Sequence, residues 1–161
     1  MVANARAAWA GSIKQVGFKG EVQYFAAHQS EKQQVNIVAE WDYIGKKQGY
    51  WAAGILYNSQ GLKQPVSDWQ MVNLSLSPRN PMPTSINVLL MVNREFSPLI
   101  NASLSLVMAP QTRILFFLPS VNYSISDQLD MNFVWQSFFA ETNHVFGAFS
   151  HRAFLRLKWS F

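Results

Sequence analysis

The sequence predicts an all-β protein: a closed, antiparallel, up-and-down barrel of about ten strands, with eight as the competing count. Three observations predict it. Apolar and polar residues alternate with a period of two along the whole 161-residue chain, the spacing that sends successive side chains to opposite faces of a strand. Clusters of Gly, Pro, Asn, Asp and Ser interrupt the alternation at hairpin intervals. No segment of helical length carries a 3.6-residue period.

The elements follow in order. Strands near 6–15 and 20–29, joined by Val16-Gly17-Phe18-Lys19, form the least marked hairpin. The strand at 33–45 is the clearest, with Val35, Ile37, Ala39, Trp41 and Tyr43 alternating against Gln34, Asn36, Val38, Glu40 and Asp42. After a Gly-Lys-Lys break comes 49–58, then the longest connection, Ser59–Ser67. Val72, Leu74 and Leu76 alternate with Asn73, Ser75 and Ser77, which predicts a strand at 68–78. Strands at 85–94, 98–109, 112–126, 129–141 and 146–161 complete the set. Pro119 falls inside one of them, so a bulge or a position beyond the membrane's hydrocarbon zone is expected there, because proline removes a ladder hydrogen bond. No composition shift divides the chain, and residues 1–161 read as a single domain.

Composition narrows the class. Only 14% of residues are charged, against about 25% in an ordinary soluble domain. Aromatics make up another 14%, too many for a disordered chain. The formal charge of +4 is spread singly or in pairs, as at Lys46-Lys47, and gives no nucleic-acid face. There is no cysteine, so disulfides and thiol chemistry are excluded. The longest apolar runs, at 88–92 and 114–119, fall far short of the ~20 residues of a membrane-crossing helix.

The two faces of each strand differ in a telling way. A soluble barrel covers its outer face with Lys, Glu, Asp and Arg. Here the polar stripes are mostly Asn, Ser and Gln, which suit a crowded hydrated interior. The apolar stripes then face lipid, each long enough for the ~9–11 residue tilted strand that crosses a bilayer. Trp9, Tyr24, Trp41, Tyr43, Tyr50, Trp51, Tyr57, Trp69, Tyr123, Trp135 and Trp159 fall near strand ends, as interfacial girdles require. The expected fold is a transmembrane β-barrel. A soluble lipocalin-like binding barrel is the alternative, since Gly49-Tyr50-Trp51 reads as the G-x-W of that family's first strand.

The chain ends in FLRLKWSF, with Leu155, Leu157, Trp159 and Phe161 on one stripe and Phe154, Arg156, Lys158 and Ser160 on the other. This stretch resembles the last strand of bacterial outer-membrane β-barrel proteins of the porin-like class, which ends in Phe after alternating apolar residues. The resemblance implies a bacterial outer-membrane location. It also implies that Leu155, Leu157, Trp159 and Phe161 form the signal read by the barrel-assembly machinery. It implies direction too: Phe161 and the Ser126–Asp130 turn on the periplasmic side, the Glu141–Val145 loop outside. Counting back through ten strands makes Ser59–Ser67 periplasmic, which conflicts with the short periplasmic turns of such barrels. The opening MVANARAAWAG lacks the apolar core of a secretory signal. The chain therefore also reads as the C-terminal part of a larger barrel, of about fourteen strands or more.

The expected function is a porin-like passive channel for small polar solutes, or a structural barrel with a polar-filled lumen. Glu40 and Asp42 share one face of their strand, and Arg156 and Lys158 share one face of the last. These four are the candidate lumen groups, and opposite charges meeting across a narrow interior would tune conductance. An outer-membrane lipid-modifying enzyme is the other class. Its support is thin: Ser150 and His151 are adjacent and point to opposite sides of a strand, so they cannot pair as nucleophile and base. His144 has no serine at useful spacing. No G-x-S-x-G, H-E-x-x-H, P-loop or EF-hand pattern occurs, so no catalytic, cofactor or metal site is expected.

Overall fold

In the computed structural model, residues 4–27, 32–45, 49–65, 77 and 79–160 are described. They form one nine-stranded antiparallel sheet in simple sequence order. The strands are β1 (Asn4–Ile13), β2 (Val16–Phe25), β3 (Gln34–Ile44), β4 (Gly49–Asn58), β5 (Ile86–Ser97), β6 (Ile100–Ala109), β7 (Ile114–Ser126), β8 (Leu129–Thr142) and β9 (Val145–Trp159). One turn of 3-10 helix, Pro110–Thr112, links β6 to β7. No ladder joins β1 to β9 among the described residues, so hydrogen bonds do not close the sheet. After eight antiparallel steps, β1 and β9 run in the same direction.

Directly opposed residues in an antiparallel ladder share a face, so the register assigns every side chain. One row runs Trp9, Gly20, Ala39, Ile55, Val88, Met108, Leu115, Phe139, apolar across eight strands. A second row runs Val92, Leu104, Pro119. The opposite face carries side-chain hydrogen bonds that step from β5 to β8. Asn93 and Asn101 exchange amides, Ser103 bonds Ser120 at 2.7 Å, Asn132 donates to Asn122 at 2.7 Å, and Ser124 donates to Asp130 at 2.7 Å.

Burial is inverted relative to a water-soluble domain, whose buried set is dominated by apolar residues. Among the described residues the buried apolar side chains are Ala109, Ile114 and Ala140, beneath the 3-10 turn. Nine polar or charged residues are buried, Gln34, Asn36, Asn58 and Asn87 among them. Trp9, Trp41, Trp51, Leu155, Leu157 and Trp159 are exposed on the apolar face, and among the described residues no second sheet stacks on it. Leu104 and Leu106 share that face and are half-buried.

Several expectations are corrected. The first hairpin turns at Lys14-Gln15, with Lys14 in the left-handed region (φ 56°), and Val16–Lys19 belongs to β2. The register shows why. It sets Trp9 opposite Gly20 and Phe18 opposite Gly11, so each ring lies over a residue without a side chain. A Cβ on Gly20 would sit 2.2 Å from the Trp9 ring.

The strand expected at 68–78 lies outside the described residues apart from Ser77, which is not in a strand. β4 pairs directly with β5, Tyr57 opposite Ile86, so nothing stands between them in the sheet. The count among described residues is nine rather than ten or eight. With nine, the 58–86 connection moves to the opposite end from Trp159. The conflict over a long connection at the C-terminal end disappears. That end holds the tight turns Lys14-Gln15, Pro98-Leu99 and Asp127-Gln128.

Pro119 causes no bulge. It stands opposite Leu104, and the ladder to β8 skips Leu118 and Pro119 but resumes in the same register at Ser120. The register shifts fall elsewhere, at Glu95/Ser97, Ser124/Ser126 and Phe138/Phe139.

The β8–β9 hairpin turns on Asn143 (φ 52°) and His144 (φ 64°), two left-handed residues in succession, as a type I′ turn requires. Asparagine suits the first position; the second favours glycine. His144→Gly should therefore stabilise the protein by about 0.5–1 kcal/mol, read as a higher urea midpoint with an unchanged slope.

Candidate functional site

The polar face is the candidate site, and its charges come from adjacent strands. On β1 and β2, Arg6 bridges Glu21 at 2.6 Å, and Gln23 donates to the same carboxylate. On β2 and β3, Lys19 holds Glu40 at 2.8 Å. The Asp42 carboxylate fills the space above Gly17, where a Cβ would sit 2.6 Å from its Oδ1. On β9, Arg156 stands opposite Asn132 and Lys158 opposite Asp130.

The structure therefore brings Glu40 to Lys19, not to Arg156 or Lys158. Among the described residues no ion pair links β3 with β9. The reason is topological: five strands separate them on one side, and among the described residues no β1–β9 ladder closes the other. Of the terminal stripe, Leu155, Leu157 and Trp159 lie exposed on the apolar face, while Phe161 lies outside the described residues.

The feature that sequence reasoning missed is the connection from β4 to β5, whose Arg79–Ser85 part folds over the polar face at the ends of β3, β4 and β5. Close backbone approach fixes its base. Leu62 and Thr84 form a parallel bridge, with Leu62 N–H donating to the Pro83 carbonyl and Ser85 N–H to the Leu62 carbonyl, both at 2.9 Å. Gly61 permits this, because a Cβ there would lie 2.4 Å from the carbonyl carbon of Thr84.

An amide lattice then holds the segment down. Gln34 Nε2 donates to the Asn58 side-chain oxygen (2.9 Å) and the Arg79 carbonyl (2.6 Å), and Asn36 Nδ2 donates to that same carbonyl (2.9 Å). Asn58 Nδ2 donates to Asn80 Oδ1 (2.8 Å) and the Met82 carbonyl (3.1 Å). The Arg79 guanidinium donates to the Lys32 carbonyl and lies 5.5 Å from the Phe25 ring centre. Such groups are costly to bury unpaired. Here the strand amides and the segment's carbonyls satisfy each other.

A second cluster lies on the apolar face. Trp135 Nε1 donates to Ser137 Oγ at 2.7 Å, and Ser137 Oγ lies 2.9 Å from His151 Nδ1. The Trp135 and Phe139 rings flank the imidazole at 5.9 and 5.8 Å. The partner of His151 is thus Ser137 on the facing strand, not its neighbour Ser150. The serine is buried, and among the described residues no carboxylate contacts the imidazole. The arrangement pairs three polar groups on an otherwise greasy face. At the rim beyond it, Arg113 bonds the buried Glu141, whose other oxygen lies 3.9 Å from His144 Nδ1.

No family model, curated protein or solved structure matches the chain.

Proposed function

We propose that this chain forms the wall of a transmembrane β-barrel in a bacterial outer membrane and acts as a porin-like passive channel for small polar solutes. The observation that carries this reading is the inverted burial. A largely apolar face over nine strands is exposed, while amides and hydroxyls gather on the other face and bond one another. In water such a face would be a large aggregation-prone patch. Against acyl chains it is the stable arrangement.

The polar face then lines the passage. The Arg79–Ser85 segment lies on that face and narrows one mouth, with Gln34, Asn36 and Asn58 as its anchors. The end with tight turns faces the periplasm, and the end with the long connection faces outward. Outer-membrane lipid is the surrounding partner, and the terminal strand with Leu155, Leu157, Trp159 and Phe161 engages the barrel-assembly machinery. Closure brings the β1 and β9 borders into a continuous wall, directly or through further strands.

Refolded protein in a planar bilayer is expected to give discrete, ohmic current steps. A protein that is monodisperse without detergent and shows no steps would defeat the proposal.

A further inference from the structure

We infer that the passage prefers anionic solutes bearing carboxylate or phosphate groups, drawn along a cationic rail of Arg152, Arg156 and Lys158 on β9. The inference rests on the channel reading and names its substrate class. The three residues share the polar face, and Arg152 and Lys158 lie six positions apart, roughly 20 Å along an extended strand. All three are exposed, and no ion pair occupies any of them among the described residues.

The contrast with the rest of the face lies in clustering: the rail gathers three cations on one strand, whereas the acids without an ion pair among the described residues are spread over three. Glu21 and Glu40 are already matched by Arg6 and Lys19. Asp42, Glu95 and Asp130 all sit within two residues of the strand ends at the tight-turn end. Lys158 faces Asp130 at that end, Arg156 stands three residues from Trp159, and Arg152 lies well away from it; both guanidinium groups are free of ion pairs among the described residues. Across from them on β8 stand Gln136 and Asn132, neutral amides that add hydrogen bonds without cancelling charge. A planar guanidinium offers paired donors that match carboxylate and phosphate oxygens.

The test uses the full chain refolded into planar bilayers under a KCl gradient, then with potassium phosphate replacing KCl. The sign of the reversal potential should show chloride and inorganic phosphate preferred over potassium. Arg152→Gln with Arg156→Gln should lower the anion-to-cation permeability ratio about threefold or more, and the paired Glu substitutions should reverse it. Steps that are cation-selective, or a ratio that neither double variant changes, would overturn the inference and leave the channel reading standing. Absence of steps in the wild type would overturn both.

Discussion

Leu104→Arg should prevent the protein from folding into lipid vesicles, whereas Ser103→Arg, one residue earlier, should still fold. Leu104 is midway along β6, between Val92 and Pro119 on the apolar face. In the proposed bilayer a guanidinium there would have to enter the middle of the hydrocarbon layer, at a cost of about 2–4 kcal/mol. Ser103 faces the other way and bonds Ser120 at 2.7 Å. Its replacement forfeits that bond, worth about 1 kcal/mol, but puts the charge among amides and hydroxyls. Refolding yield in vesicles and the urea midpoint measure both. Equal tolerance of the two substitutions, or the reverse order, would invert the assignment of faces.

Asn58→Leu should cost about 3 kcal/mol and release the Arg79–Ser85 segment from the polar face. Asn58 is 1% exposed, and its amide makes four contacts. Its oxygen accepts from Gln34 Nε2 (2.9 Å) and the Gln60 backbone N–H (3.0 Å); its nitrogen donates to Asn80 and Met82. Leucine matches the size but leaves those partners buried without bonds. Limited proteolysis should then cut near residues 79–85 where the wild type resists. Single-channel conductance should rise as the mouth opens. Asn58→Asp, which keeps the acceptor but turns a buried carboxylate toward the Asn80 and Met82 oxygens, should cost at least as much. Unchanged protease resistance in Asn58→Leu would show that the backbone bridge at Leu62 and Thr84 holds the segment alone.

Much of this fold was legible because alternation writes sheet faces directly into the sequence. The run from Val35 to Tyr43 predicts β3 and its two faces without any long-range information. Alternation does not, however, say which stripes become neighbours. Val72–Ser77, mostly outside the described residues, alternates as well as β6 does, and β4 pairs directly with β5. The first turn was misplaced because Gly17 looks like a breaker; its role is to leave room for the Asp42 carboxylate on the next strand.

The charged residues were placed on the correct stripe, but their partners depend on which strands are neighbours. Glu40 meets Lys19 on the adjacent strand, a pairing that alternation alone does not show. The lattice around Asn58 and the contact between Ser137 and His151 were out of reach for the same reason. The Gln34–Asn58 and Ser137–His151 contacts join residues 24 and 14 positions apart. The second also depends on a register that shifts between Phe138 and Phe139.

An odd tally of strands has a consequence for how such a wall comes apart. If the two borders zip to each other, that one join runs parallel. Its slanted, evenly spaced bonds are slightly weaker per residue than those of the eight other joins. β9 also outreaches β1, 15 residues to 10, so part of its length finds no counterpart there. Chemical denaturants should unzip the cylinder along that line before any other.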